Sequence, residues 1–135
     1  MSLQDQAAFL SNIHPFQVLT PAQMDKCIKH MDIAYYPKNS ILISPEKISD
    51  HFFIIIKGAV YEYSADNMVV MDYHHEDSFD SNSLIYGKCN NTFKVHEELI
   101  CYELEKDTFL KLIEQNQQFK DYFLKDLVNK IQTLK

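Results

Sequence analysis

Residues Asp72 to Leu104 read DYHHEDSFDSNSLIYGKCNNTFKVHEELICYEL, a polar, turn-rich segment held between two strand-like flanks. The polar segment runs from Glu76 to Thr92 and is rich in hydroxyl and amide side chains. A loop of this kind, with backbone N–H groups free to bind, is a common way to build an anion cradle between two strands. The sequence therefore predicts that the functional site lies in this segment and that the rest of the chain supports it.

The composition is that of one ordinary globular domain. Hydrophobic residues make up 46% and aromatic residues 13% of the 135 residues, which is enough for an apolar core. The formal net charge of -6 repels a phosphate backbone and argues against nucleic-acid binding by this chain alone. Because there is no run of about 18 apolar residues and no signal-peptide pattern, we expect a cytoplasmic protein with no membrane contact.

The cysteines and the titratable residues do not indicate catalysis. Cys27, Cys89 and Cys101 lack a CxxC spacing, so we predict neither a disulfide framework nor a zinc knuckle, and a reducing compartment. Cys101 lies in an apolar strand and is expected to be an inert core residue, whereas Cys89 lies in the polar segment and is the candidate for reactivity. No general base can be assigned to either of them, so no catalytic residue is predicted.

Helical patterns occur at the two ends of the chain. Thr20-Pro21-Ala22-Gln23 has the form of a capping box with Pro at the first helical position, which predicts a helix from about Pro21 to Met31. We therefore expect N-terminal helices over about 4–31. A second helical pattern follows residue 105, with a polar break at residues 116–118, and predicts two C-terminal helices over about 106–134.

The middle of the chain has the pattern of strands. From Ile33 onward the apolar residues form about seven short runs separated by turn residues, which is typical of a barrel, a sandwich or a jelly roll. Among the predicted turns are Lys57-Gly58 and Ala65-Asp66-Asn67. The predicted fold is mainly β with flanking helices, a jelly-roll or β-roll (double-stranded β-helix) over about 33–104, in a single domain over 1–135.

An apolar stripe marks the last helix. It consists of Phe123, Leu127, Ile131 and Leu134, and Leu124 and Val128 widen it. A stripe of this width either packs on the β-roll or forms a homodimer through the helix, and the sequence leaves both alternatives open.

The segment His74-His75-Glu76-Asp77 invites a metal-binding interpretation, since metal sites on jelly rolls use His and Glu. Adjacent residues of a strand point to opposite faces, however, so His74 and His75 do not share one ion unless the strand has ended. The spacing HxH is also missing. We therefore predict a solvated turn and no metal ligand.

Three motifs, taken in order, resemble the cyclic nucleotide-binding domain family across nearly the whole chain. Tyr35 to Leu42 resembles the family's pKGxxIl turn, with Asn39 where Gly is usual. Phe53 to Val60 resembles lyvIlxGxV and keeps the glycine as Gly58. Phe79 to Ile85 resembles the phosphate-binding cassette, usually FGExxLl. The closing residues 101–119 are most similar to the N-terminal regulatory domain of bacterial proteins that carry CBS and nucleotidyltransferase-like domains.

The resemblance implies a ligand site formed by the cassette and the start of the following strand: Phe79, Asp80, Ser81, Asn82, Ser83, Leu84, Asn90, Asn91 and Thr92. The cassette departs from the family. Asp80 replaces the usual Gly, Ser81 replaces the Glu that holds the ribose hydroxyl, and no basic residue stands at 89–91, where the Arg that pairs the cyclic phosphate is expected. Loss of both contacts weakens a cyclic nucleotide by roughly a hundredfold or more.

The resemblance therefore implies a non-enzymatic regulatory domain with a degenerate cassette, which either binds an altered ligand or serves in dimerisation and interaction. The candidate ligand is a small nucleotide, with a cAMP-like molecule as the family's example. In the family the last helix transmits ligand occupancy to an output domain, so we expect an output domain or a partner in trans. The alternative is a cupin-like, metal-dependent enzyme on a similar roll, which would retain about one equivalent of metal.

Overall fold

The computed structural model describes residues 3–13, 15–48, 50–79 and 89–133, and it describes the side chains of residues 5–13, 15–48, 50–79 and 89–125. The chain has two compact units, a β unit from Met31 to Lys106 and a helical unit formed by Met1–His30 with Asp107–Lys135. The predicted organisation as one domain over 1–135 stays a prediction.

The described elements follow the predicted order of helices, strands and helices. They are α1 (Leu3–Ser11), a 3-10 turn (Phe16–Val18), α2 (Pro21–Lys29), β1 (Met31–Tyr36), β2 (Ile41–Ile43), β3 (His51–Tyr63), β4 (Val69–Tyr73), β5 (Ser78–Phe79), β6 (Thr92–Glu105), α3 (Lys106–Gln115) and α4 (Gln117–Thr133). None of the helices in the described part of the chain combines the length and the hydropathy that a bilayer crossing requires.

Two long antiparallel strands, β3 and β6, form the centre of the β unit. They pair from His51 opposite Glu105 to Tyr63 opposite Thr92. One end of this pair is extended by β1 on β6 and β5 on β3, and the other end by β2 on β6 and β4 on β3. All described pairings are antiparallel, and the architecture is the predicted β-roll.

The predicted turn at Lys57-Gly58 is wrong, because β3 continues through it. The register of β3 on β6 shifts between Ile55 and Val60, so the glycine lies in an irregular, bulged part of a continuous strand. Gly58 has φ 108°, and a Cβ at this position would lie 2.2 Å from the carbonyl oxygen of Glu98. A glycine is needed here because the two backbones approach too closely for a side chain.

Two other predicted turns contain an Asn with a left-handed backbone. Asn39, at the position where the family has Gly, has φ 75°, and its N–H donates to the carbonyl of Val95 at 2.8 Å. Asn67 has φ 64° in the turn between β3 and β4. Asn tolerates this conformation better than other residues with a side chain, so the exchange of Gly for Asn at residue 39 preserves the turn.

One apolar cluster in the core of the β unit draws side chains from both ends of the roll. Its buried members are Leu42, Ile43, Phe53, Ile55, Val60, Tyr73, Phe79, Phe93, Val95, Leu99 and Cys101. The face of the sheet that carries these side chains is called the inner face below. The cluster confirms Phe79 and Cys101 as core residues.

In the helical unit, the predicted capping box is confirmed. The hydroxyl of Thr20 accepts from the N–H of Gln23 at 3.2 Å, and Gln23 Oε1 accepts from the N–H of Thr20 at 3.0 Å. Helix α2 ends at Lys29, two residues before the predicted end, because Met31 already belongs to β1.

Asn116 explains the polar break between α3 and α4. Its Oδ1 accepts from the N–H of Phe119 at 3.0 Å and thereby caps α4. Its Nδ2 donates to the carbonyl of Val18 at 3.1 Å and to Gln23 Oε1 at 2.9 Å. One side chain therefore starts the last helix and ties it to the N-terminal segment of the same unit.

Candidate functional site

The floor of the candidate site is aromatic. The ring of Phe79 stacks on Phe53 at a centroid distance of 4.9 Å and on Phe93 at 5.3 Å, and Tyr73 lies 5.3 Å from Phe79. Phe79 enters this cluster through β5, whose pairing places it opposite Phe53. The first residue of the cassette is thus fixed in the core.

A hydrogen-bonded group of polar side chains borders this floor. The Tyr73 hydroxyl donates to Glu62 Oε1 and Asn91 Nδ2 donates to Glu62 Oε2, each at 2.7 Å. The thiol of Cys89 donates to the backbone carbonyl of Asn91 at 3.0 Å. We call Glu62, Tyr73 and Asn91 the Glu62 network.

The Glu62 network faces the core side of the roll. Val60, two residues before Glu62 on β3, is buried, and side chains two apart on a strand share a face. The residue paired with Glu62 on β6 is Phe93, which is also buried. A carboxylate is therefore directed toward the inner face, close to the aromatic floor.

The structure brings only some of the predicted site residues together. Asn91 takes part in the Glu62 network, and Asn90 is exposed. Thr92 is half-buried. Because Thr92 directly precedes the inward-facing Phe93 on β6, the side chain of Thr92 points to the opposite face of the strand. Five predicted residues lie outside the described residues: Asp80, Ser81, Asn82, Ser83 and Leu84. Their roles stay predictions.

No arginine is available to pair a phosphate. All 13 basic residues of the chain are lysines, so the family's Arg is absent from the cassette and from the rest of this sequence. Lys94 lies between Phe93 and Val95 on β6, and both of these neighbours are buried. Because successive side chains of a strand point to opposite faces, Lys94 lies on the face of β6 away from the core. Lys88 lies outside the described residues.

The Glu62 network was missed by the sequence analysis, although a signal for it exists. Glu62 lies two residues after the apolar Val60 in the run from Ala59 to Tyr63. Side chains two apart on a strand share a face, so this spacing already directs the Glu62 carboxylate inward. Tyr73 closes the next apolar run. An inward-facing acid in an apolar strand needs hydrogen-bond donors, so this signal predicts a polar partner for Glu62 but does not identify it.

The segment His74–Asp77 forms the predicted exposed turn. Glu76 has φ 71°, its N–H donates to the carbonyl of Ile55 at 3.0 Å, and Asp77 Oδ2 accepts from the N–H of His74 at 2.8 Å. The hydrogen bond between His74 and Asp72, at 3.0 Å, raises the pKa of His74 and lowers the pKa of Asp72.

Within the described ranges, no three His, Cys, Asp or Glu residues form a group that could hold a metal ion. The cupin-like alternative therefore has no support in the described part of the molecule.

The two buried cysteines are chemically quiet. Burial raises the pKa of both the Cys27 and the Cys101 thiol to about 12, and a thiol that stays protonated is a poor nucleophile. This agrees with the prediction that Cys101 is an inert core residue. The reactivity of Cys89 stays a prediction.

The apolar stripe of α4 is partly used inside the helical unit. Phe123 is 3% exposed and packs edge-on against Phe109 and Phe119, at centroid distances of 5.1 Å and 5.0 Å. Leu124, beside it, is 42% exposed. The side chains of Leu127 and Ile131, and the whole of Leu134, lie outside the described residues, so the predicted dimer contact stays a prediction.

Comparison with known proteins identifies the family. The family model of the cyclic nucleotide-binding domain matches residues 33–116, well over half of the chain. The matched region begins within β1 and ends at Asn116, so it covers most of β1, the other five described strands and α3. Among curated proteins, none matches the chain.

Solved structures share the fold at low sequence identity. The sensor domain of the transcriptional regulator DNR from Pseudomonas aeruginosa has a TM-score of 0.80 at 15% identity, with 92% of this chain and 91% of that chain covered. PKAR CBD2 bound to Sp-2Cl-cAMPS has a TM-score of 0.81 at 22% identity, with 99% and 92% covered. The cAMP-bound PfPKA-R (141-441) has a TM-score of 0.85 at 21% identity, and this chain covers only 46% of its length.

The fold and the matched region define the class of protein: a β-roll domain with flanking helices. The chain belongs to the cyclic nucleotide-binding domain family. The more specific similarity to regulatory domains of CBS and nucleotidyltransferase-like proteins stays a prediction.

Proposed function

We propose that the chain is a non-enzymatic regulatory domain that binds a small ligand on the inner face of the β-roll and controls an output domain or a partner in trans. The observation that carries this proposal is the family match over residues 33–116. Domains of this family generally serve regulation rather than catalysis. Two relatives of the same fold, PKAR CBD2 and PfPKA-R, are described as bound to a cyclic nucleotide analogue and to cAMP.

The contacts of the described residues support a binding role for the end of the roll near Asn91. Phe79 anchors the start of the cassette in the core, and Cys89 and Asn91 are held by hydrogen bonds at its other side. Phe79 and Cys89, the described residues on either side of the segment that contains the cassette, are thus each held by contacts of their own. We propose that the ligand contacts these residues together with Asn90 and Asn91.

Regulation would follow from differential affinity. A ligand that binds one arrangement of the C-terminal helices better than another shifts their equilibrium, and by no more than the difference between the two binding free energies. We infer that α4 carries this signal, and that two copies of the chain associate through its exposed apolar residues, of which Leu124 is described. The proposed setting is a bacterial cytoplasm.

A thermal melt against a ligand panel tests the proposal. The panel contains cyclic mononucleotides, cyclic dinucleotides, linear nucleotides, nucleosides and divalent metals, because any ligand of the native state raises the melting midpoint by mass action. We expect an upward shift with one class of organic ligand and recovery of that ligand unchanged by mass spectrometry. A flat panel at millimolar concentrations would contradict ligand binding, and turnover of a ligand would contradict the non-enzymatic role.

A sedimentation experiment tests the dimer separately. Leu124→Glu places a charge on the exposed face of α4, and Lys125→Glu is the control because Lys125 is exposed and polar already. We expect Leu124→Glu to shift the protein from dimer toward monomer while Lys125→Glu leaves the dimer in place. A wild-type protein that sediments as a monomer at all concentrations would contradict the association.

A further inference from the structure

An inward-facing carboxylate lies at the candidate site on β3, whereas the resemblance places the family's Glu in the cassette. Glu62 is half-buried on the inner face and borders the aromatic floor formed by Phe79 and Phe93. Moving a second negative charge close to a partly desolvated carboxylate costs free energy, and the cost grows as water is excluded. The charge of Glu62 therefore matters most to a ligand that also carries negative charge.

The partner of Glu62 connects it to the phosphate position of the family. The resemblance places the phosphate-pairing Arg within residues 89–91, and in this chain Asn91 of that segment donates its amide to Glu62 at 2.7 Å. Within the segment where the family has a positive charge, this protein has only neutral side chains, and the amide donor of one of them, Asn91, is already directed at a carboxylate. Since the chain contains no arginine, no other residue of the sequence restores the usual guanidinium.

The hydrogen bonds of Glu62 indicate what it can accept. Both described donors are neutral, a phenol hydroxyl from Tyr73 and an amide from Asn91. An ionised carboxylate offers about four acceptor positions, so these contacts leave room for donors of a ligand. Hydroxyl and amino groups are the chemical groups that such a carboxylate binds well.

We propose that Glu62 determines the ligand class of the site, accepting hydroxyl or amino groups of an uncharged or cationic ligand and excluding an anionic phosphate from the position beside Asn91. This inference rests on the proposed function, because it concerns the same site. The proposed role of Glu62 is separate from the loss of the cassette Arg. It assigns the exclusion of phosphate to a residue on β3, which can be substituted without changing the cassette.

A titration with cAMP tests the role of Glu62. Glu62→Gln keeps an acceptor and a donor that can serve Asn91 and Tyr73, and removes the charge. Tyr73→Phe removes one hydrogen bond to the carboxylate and keeps the charge, and Glu114→Gln makes the same change in net charge at an exposed residue of α3. Each folded variant, checked by its melting midpoint, is titrated with cAMP and followed through the side-chain amide signals of Asn91 by NMR.

We expect Glu62→Gln to bind cAMP at least tenfold more tightly than the wild-type protein and to shift the Asn91 amide signals. Tyr73→Phe and Glu114→Gln should show no such gain. Equal affinity of the wild-type protein and Glu62→Gln would overturn the inference and leave ligand binding itself intact. A gain in Glu114→Gln as large as in Glu62→Gln would overturn it as well, because net charge alone would then explain the effect.

The absence of any response in both the wild-type protein and Glu62→Gln would also overturn the inference, since Glu62 would then not be what excludes the phosphate. That outcome is distinguishable from failure of the proposed function. Binding of any ligand is decided by the thermal panel, whose nucleosides include adenosine as the phosphate-free counterpart of cAMP. The inference predicts that adenosine affinity is the same or lower in Glu62→Gln.

Discussion

Replacement of Gly58 by alanine should destabilise the β unit strongly. The backbone at Gly58 has φ 108°, a conformation that costs a residue with a Cβ about 1–3 kcal/mol. In addition, the new Cβ would lie 2.2 Å from the Glu98 carbonyl oxygen and 3.0 Å from Leu99 Cα. All of these contacts are backbone atoms of β6, so relief requires that the two central strands separate.

The two effects act together, and we expect Gly58→Ala to lower the free energy of unfolding by about 3 kcal/mol or more. That is a large part of the roughly 5–15 kcal/mol that a domain of ordinary stability has. Urea unfolding followed by circular dichroism measures the change as a lower midpoint, with the slope m unchanged if the unfolded state is unaffected.

Lys57→Ala is the matched control for this experiment. Lys57 is the exposed neighbour of Gly58 on the same strand, and exposed substitutions of this kind usually change stability by no more than about 0.5 kcal/mol. If Gly58→Ala cost less than about 1 kcal/mol relative to Lys57→Ala, the close approach of β3 and β6 at the bulge would be refuted as the reason for the glycine.

Two further predictions concern the helical unit and the buried thiols. Asn116→Ala removes the cap of α4 and the amide donor to Val18 and Gln23. We therefore expect the free energy of unfolding, measured with urea, to fall by about 2–4 kcal/mol, and to change little in the control Gln118→Ala at an exposed residue. Similar values for both variants would contradict the bridging role of Asn116. The pKa of Cys27 and of Cys101 is raised to about 12 in the folded state from an ordinary value of 9.0, so between these two pH values the unfolded chain loses protons that the folded protein keeps. Stability should therefore be unaffected by these thiols below pH 9 and fall as the pH rises from 9 toward 12, by up to about 1.4 kcal/mol per pH unit for each thiol. Cys101→Ala should reduce this slope, and an unchanged slope would contradict burial as its cause.

Much of the fold follows from the sequence because the signals are local. The capping box at Thr20, the left-handed Asn39 and the polar break at Asn116 are each specified by a few neighbouring residues. The two central strands, β3 and β6, were harder to predict. Lys57-Gly58 has the residues of a turn, and only the pairing with β6 shows that the glycine serves a close approach inside a continuous strand.

The place of the candidate site stays a prediction, and the chemistry that the structure shows beside it was not predicted. The resemblance names Phe79 as the first residue of the cassette, and the structure places it in the core. The Glu62 network did not follow, because its members come from β3, β4 and the segment before β6, and nothing in their sequence spacing joins them. Tertiary pairing creates this contact, so a motif search centred on the cassette passes over it.

Hydrogen–deuterium exchange with and without the best ligand of the thermal panel tests the central claim most directly. A regulatory domain must change in two places when it binds: in peptides that contain Asn91, at the proposed site, and in peptides from α4, which is proposed to carry the signal. We predict altered exchange in both regions at saturating ligand. Altered exchange confined to the peptides around Asn91 would contradict regulation through α4, and unaltered exchange in both regions would contradict ligand binding at this site.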